Sequence, residues 1–290
     1  MAIVELADGR SLEYFVAGPE GGTPLVLHSG TPSAAVIFEP LAAAVGRHGL
    51  RLVVYSRPGY AGSTPQPGRT VASAAADVAA VLDEVGAERF YAVGWSGGGP
   101  HALACAALLP GRCLAAASIA GVAPYTADGL DWAAGMGPEN VEEFGAAVRG
   151  TEALTPYLEA QEAELAAVRG EQVAAALGGL VSEVDQAALT GEYADYVAES
   201  FRAAVSTGIA GWLDDDLAFV QEWGFDLEGA AAPVSIWQGG EDRMVPYAHG
   251  EWLAARVPQA AVHLHPGEGH LSLMFNHLDD IVTELIARGG

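Results

Sequence analysis

Lysine is absent from the 290 residues. All 13 basic side chains are arginines, set against 37 aspartates and glutamates, and the formal net charge is −24. Such a chain repels polyanions, which argues against nucleic acid as a partner and equally against an anionic membrane surface. Cysteine is almost absent. Cys105 and Cys113 both fall in apolar segments and read as small buried hydrophobes, because two such residues are too few for a disulfide framework or a metal site. The stretch Met1 to Arg10 has no basic leader followed by an apolar region, so the expectation is a cytoplasmic protein. The apolar zone from Ala102 to Val122 is broken by Pro110-Gly111-Arg112 and does not read as a membrane span. What the chain does have is 51% hydrophobic residues, ample for one large α/β core with or without an insertion.

The most informative stretch is Phe90-Tyr91-Ala92-Val93-Gly94-Trp95-Ser96-Gly97-Gly98-Gly99-Pro100-His101. An apolar run rich in aromatic and β-branched residues meets a glycine, presents one serine, and passes through three glycines into the helical pattern Ala102 to Leu109. A serine between a buried strand and a helix is forced into a sharp turn whose neighbours must lack a Cβ. The turn lifts the hydroxyl out of the sheet, and the N–H of Gly97 faces the same space at a helix N-terminus, where negative charge is favoured. This is the G-x-S-x-G nucleophile elbow. Read blandly, the same glycines are an ordinary loop; the flanking strand and helix are what favour the catalytic reading.

Around it the chain alternates strand and helix. Ala2 to Leu6 and Ser11 to Val16 flank Asp8-Gly9, read as a two-residue hairpin turn. The strand Pro24 to Leu27 runs into His28-Ser29-Gly30-Thr31-Pro32, a loop placed to offer a second backbone N–H above Ser96. Leu50 to Tyr55 and Cys113 to Ile119 read as further buried strands. From Asp131 to Glu228 the character changes: 20 acidic residues stand against Arg149, Arg169 and Arg202, on helices with their own punctuation. Thr155-Pro156 is expected to open one of these helices, and Ser182 with Asp185 to form a capping box. Strand and helix alternation resumes at Pro233 and continues to Arg288. This order implies an α/β fold, a mostly parallel central sheet with helices on both faces, with an inserted helical lid. The expected divisions are residues 1–124 and 231–290 for the core and 125–230 for the lid.

Four motifs carry a resemblance to the α/β-hydrolases that bear a lid: His28-Ser29-Gly30-Thr31-Pro32, Arg57-Pro58-Gly59-Tyr60-Ala61-Gly62-Ser63, the elbow at Ser96, and Gly240-Glu241-Asp242-Arg243-Met244-Val245-Pro246 paired with Gly269-His270. The resemblance implies a nucleophile, acid and histidine in the order Ser96, Asp242, His270. Serine is a poor nucleophile at neutral pH, so it requires a base such as neutral His270, oriented by Asp242. Backbone N–H groups of Gly97 and Thr31 would bind the oxyanion, with Gly30 as the alternative to Thr31 if the loop register shifts by one. Trp95 and Gly30 are candidate substrate contacts, and Trp95 can equally pack beneath the pocket. His101 reads as packing or lid contact.

Other assignments remain open on the sequence. Asp242 could cap the helix after Pro246, with Asp128 or Asp131 supplying the acid instead; His263 and His265 are rivals to His270. Many relatives carry an aspartate where this chain has Ser56, and a glycine where it has Ala61, which bears on loop geometry rather than chemistry. Serine rather than aspartate at the nucleophile argues against dehalogenase or epoxide hydrolase chemistry. The implied function is a serine hydrolase, free of cofactor and metal, that cleaves a small-molecule ester, thioester or lactone through an acyl-enzyme. An iminopeptidase-like aminopeptidase and a non-catalytic ligand-binding homologue are the alternatives. The acidic lid reads plainly as a solvated surface; the sharper reading is a pocket for amine-bearing substrates.

Overall fold

The computed structural model describes the whole chain, Met1–Gly290. The first half builds β1 (Ala2–Glu5), β2 (Ser11–Ala17), β3 (Pro24–His28), α1 (Glu39–Arg47), β4 (Arg51–Tyr55), α2 (Ser73–Glu84), β5 (Phe90–Trp95), α3 (Gly99–Leu108) and β6 (Cys113–Ile119). Six helices follow without a strand: α4 (Pro138–Arg149), α5 (Thr151–Ala167), α6 (Val173–Ala176), α7 (Glu183–Ala188), α8 (Gly191–Ala204) and α9 (Ala210–Phe219). The chain then completes β7 (Val234–Gly239), α10 (Tyr247–Arg256), β8 (Ala261–His265), α11 (His270–Asn276) and α12 (Leu278–Gly289).

One eight-stranded sheet has the order β1-β2-β4-β3-β5-β6-β7-β8, antiparallel at β1/β2 and β2/β4 and parallel elsewhere. Side chains alternate across a strand, so neighbouring residues feed opposite faces. Val26, Val53, Ala92 and Ile236 join α2, α3 and α10 on one side, whereas Leu25, Leu27, Val54 and Val93 join α1 and α12 on the other. After β3 the chain steps to one neighbour, β4, and then returns to the other, β5. The carboxyl ends of β3 and β5 therefore flank the point where strand order reverses, the place where open α/β sheets bind ligands.

The local differences from the expected elements have identifiable causes. The first hairpin closes through Leu6 N–H to Arg10 O at 2.8 Å, so its loop is three residues, Ala7 to Gly9, with Gly9 at φ +86°. That is a turn followed by a left-handed glycine rather than a two-residue turn. Helix α5 begins at Thr151, after Gly150, and keeps Pro156 inside it. Near a helix start a proline forfeits one backbone bond, and buried Leu154, Leu158 and Leu165 hold the segment helical regardless. Ser182 makes no side-chain cap to a backbone amide of its own helix; its hydroxyl donates instead to Asp185 Oδ2 at 2.9 Å, and the Asp185 carboxylate reaches on to a distant segment.

The helical insertion is packed into the body of the protein. Phe144, Leu158, Trp212 and Phe219 belong to one core cluster and Tyr193 and Val197 to the other. The start of α9 abuts the Gly59-Tyr60 turn: Gly211 N–H bonds to Gly59 O at 3.1 Å, and a Cβ on Gly211 would lie 2.6 Å from the Tyr60 ring. No helix is long and apolar enough to cross a membrane.

The elbow depends on close backbone approach. A Cβ on Gly94 would stand 2.1 Å from Gly98 O, and one on Gly98 would stand 1.9 Å from His28 O. These are backbone atoms that cannot move aside. Gly98→Ala is expected to cost more than about 3 kcal/mol, read by urea denaturation, or to leave no folded protein at all.

Candidate active site

Ser96 is one of four non-glycine residues at positive φ, held at +57° between β5 and α3. A left-handed serine is strained by about 1–2 kcal/mol, and the crowded glycines around it leave the turn no other path. The loop after β3 lies against it: a Cβ on Gly30 would sit 3.7 Å from Ser96 Oγ, and one on Gly97 would meet the Thr31 hydroxyl at 2.4 Å. Ser96, Gly97, Gly30 and Thr31 thus share one rim of a cavity of about 140 Å³, with His270 on the same wall.

The loop carrying Gly30 and Thr31 is held from behind by Arg57. Its guanidinium donates to Ser29 O at 2.6 Å, to Gly30 O at 2.7 Å and to the Thr31 hydroxyl at 3.0 Å. Arg57 and Arg69 both bind Asp215, which is completely buried on α9 and also accepts from Tyr60 Oη at 2.8 Å and Thr31 Oγ1 at 2.9 Å. Burial alone would raise the Asp215 pKa, but the two guanidiniums outweigh it and hold the carboxylate well below its ordinary value. His101 Nε2 lies 3.6 Å from the same carboxylate, and burial lowers its pKa, so it serves this cluster as a neutral ring.

The substituted loop positions are satisfied. Ser56 Oγ donates to Glu13 at 3.0 Å and accepts from Ala35 N–H at 2.9 Å, so it fills its buried place without a carboxylate. Ala61 adopts φ +44°, the strained conformation a glycine would take freely.

His270 opens α11 rather than sitting in a loop. Its Nδ1 bonds to Asp242 Oδ2 at 2.8 Å. The same carboxylate takes Gln238 Nε2 at 3.0 Å on that oxygen and the N–H groups of Met244 and Val245 at 2.8 Å on the other. Asp242 therefore both caps its own loop and orients the imidazole, while Asp128 and Asp131 are exposed at the surface. Burial lowers the His270 pKa, yet Asp242 more than compensates and the ring stays above its ordinary value. His263 stacks on Trp237 at the sheet edge, away from the cavity lining.

Two further groups fix the imidazole. Asp185, wholly buried on α7, accepts from the N–H groups of His270 (3.1 Å), Leu271 (2.8 Å) and Ser272 (2.9 Å), satisfying the free amides at the start of α11. The Trp95 indole N–H donates to His270 O at 3.2 Å, and the ring packs against the imidazole from outside the cavity lining. Trp95 is thus placed as a support and not as a substrate contact. The Ser96 hydroxyl makes no hydrogen bond to the His270 ring; the two groups share the cavity, and such bonds often tighten only around substrate.

The remaining cavity wall comes largely from the insertion: Phe144, Tyr157, Phe201, Trp212 and Phe219, with the carboxyls of Glu139, Glu143 and Asp216. The acidic segment is therefore not simply a solvated surface, since Asp185, Asp214, Asp215 and Asp216 are all buried. Nothing local in the sequence marks Asp185, Arg69 or Gln238 as site residues. For Asp185 the S-x-x-D spacing suggested a local cap and concealed a distant one. For Asp215 and Asp216 there was a signal: three aspartates between Trp212-Leu213 and Leu217-Ala218-Phe219 cannot all face water on one helix.

The profile of the alpha/beta hydrolase fold family matches residues 23–277. The chain belongs to that family, and is a hydrolase of that fold. It is 26% identical over 294 residues to a non-heme chloroperoxidase from Streptomyces lividans, covering 99% of both chains. Among solved structures, a thermophilic esterase from Thermogutta terrifontis superposes with a TM-score of 0.71 at 17% identity, covering 99% of this chain and 98% of that one. An enol-lactonase from Burkholderia xenovorans LB400 gives 0.66 at 19% identity over 97% and 96%.

Adjacent aspartates on α9 are expected to respond oppositely to removal of charge. Asp215→Asn strands two buried guanidiniums and should cost about 3–5 kcal/mol in a denaturant melt. Asp216 differs: burial and then the nearby Glu143 raise its pKa well above the usual carboxyl value. The folded state binds that proton more tightly than the unfolded one, so this contribution is fully present below pH ~3.9 and is lost as pH rises toward the folded value. Asp216→Asn cannot ionise and should gain stability relative to the wild type from pH 4 to pH 8, read as the difference in Tm.

Proposed function

We propose that this chain is a serine hydrolase that cleaves a small carboxylic ester, thioester or lactone through an acyl-enzyme on Ser96. The observation carrying the reading is the joint placement of a left-handed Ser96 and an Asp242-bound His270 on one cavity. Ser96 Oγ attacks the substrate carbonyl carbon while neutral His270 takes the hydroxyl proton through Nε2, the nitrogen not bound to Asp242. The oxyanion forms beside Gly97 and Thr31, whose backbone N–H groups are the donors this mechanism requires; each such donor is worth roughly a hundredfold or more in rate. Collapse expels the alcohol or thiol, which carries away the proton from His270. Water then attacks the acyl-enzyme with the same base and releases the acid and free Ser96. In a lactone the leaving oxygen remains tethered to the product.

A cavity of about 140 Å³ suits a compact acyl group, comparable to one that accommodates benzene. An esterase and an enol-lactonase stand among the structural neighbours, in agreement with this substrate range. The competing view, a binding protein that keeps the fold without the chemistry, is separated by a fluorophosphonate probe, which labels an activated serine.

Ser96→Ala should abolish labelling and lower the turnover of p-nitrophenyl acetate by up to roughly a millionfold. Unchanged turnover would sink the mechanism. The active form needs neutral His270, and Asp242 holds its pKa above the ordinary imidazole value, so kcat/KM should rise with pH along an acid limb displaced upward from that of a free imidazole. A profile flat from pH 5 to 8 would remove His270 as the base.

A further inference from the structure

The cavity wall opposite in character to the catalytic rim is acidic. Glu139 and Glu143 from α4 and Asp216 from α9 all line it, and no arginine does. Asp216 is wholly buried, yet neither of its oxygens receives an N–H or O–H from the protein, and Glu139 Oε2 is a third buried oxygen without a donor. The donors that do reach this group are few: Trp212 Nε1 to Glu143 Oε1 at 2.7 Å and Gly179 N–H to Glu139 Oε1 at 2.9 Å. A buried carboxyl without a donor is costly whether it stays charged or is driven to hold its proton, so an unliganded cavity keeps these groups at the expense of stability. Burial followed by mutual proximity raises the pKa of Asp216, which is how the pair bears its own like charge when nothing else is bound.

From this we infer that the substrate carries an organic ammonium group, seated against Asp216 and Glu143 while its carbonyl lies at Ser96. An ammonium has three N–H donors and a positive charge, matching acceptors that lack donors in a wall that lacks cations. Tyr157, Trp212, Phe144 and Phe219 surround the same space, and aromatic faces add to the attraction for a desolvated cation. A neutral alkyl or aryl group of equal size would fill the volume but leave the carboxyls unpaired. The inference deepens the serine hydrolase reading, since it specifies what that site accepts.

The test is competitive inhibition of p-nitrophenyl acetate turnover by benzylammonium against its neutral near-isostere benzyl alcohol, with direct calorimetric binding of both to the wild-type protein. Benzylammonium should bind at least tenfold more tightly, and Asp216→Asn and Glu143→Gln should each shrink that ratio towards one. Calorimetry with the wild type alone decides the matter if either variant does not fold. Equal affinity of the two compounds, or a ratio that both folded variants leave intact, overturns the inference while leaving ester hydrolysis at Ser96 standing. Conversely, selective binding of benzylammonium without fluorophosphonate labelling would keep the ammonium site and discard the hydrolase.

Discussion

Asp215 is the charge on which the geometry of the loop after β3 depends. A carboxylate with no exposed surface is tolerable only when its partners are fixed, and here two guanidiniums, a phenol and the Thr31 hydroxyl converge on it. Arg57 then has donors left over for Ser29 O and Gly30 O. With those carbonyls drawn back toward arginine, the loop at the end of β3 has a single register beside Ser96. The arrangement links a helix of the insertion, the Arg57-Pro58-Gly59 turn and the loop after β3, segments far apart in the chain.

A second buried aspartate of the insertion does the same for the histidine. Asp185 collects three successive amides at the start of α11 and places a negative charge close to the imidazole. It therefore acts with Asp242 in favouring the protonated ring, the form that the proposed mechanism forms on proton transfer. Two residues separated from the elbow by about a hundred positions thus supply preorganisation that the sheet alone lacks. The helical insertion is thus a structural part of the candidate site, supplying both its supports and much of its cavity wall.

The sequence was legible where local chemistry dictates local shape. The Gly94 to Gly99 run around Ser96 admits one backbone path, and buried β-branched runs declare the strands, so the fold and the motif positions followed from short stretches. Asp242 also stood out, at the end of a strand. What stayed hidden was long-range pairing. Asp185 looks like a local cap because Ser182 stands three residues before it and does donate its hydroxyl to it, but the three amides it also accepts from lie some 85 residues away. The acid count of the insertion was visible, but which carboxyls face water depends on helix packing that no single helix records. Trp95 fits both pocket lining and support on the sequence, and its bond to His270 O together with its place outside the cavity lining separates the two.

The anchoring of α7 through Asp185 and of α9 through Asp215 also sets how the cavity admits its guest. Swinging the whole insertion aside would withdraw a counter-charge from two arginines and uncap α11 at once, dismantling the machinery that the visitor needs. On α5 and just after α6, Tyr157, Leu165 and Leu177 border the same space, and neither segment carries a buried aspartate tied to the loops at Ser96 and His270.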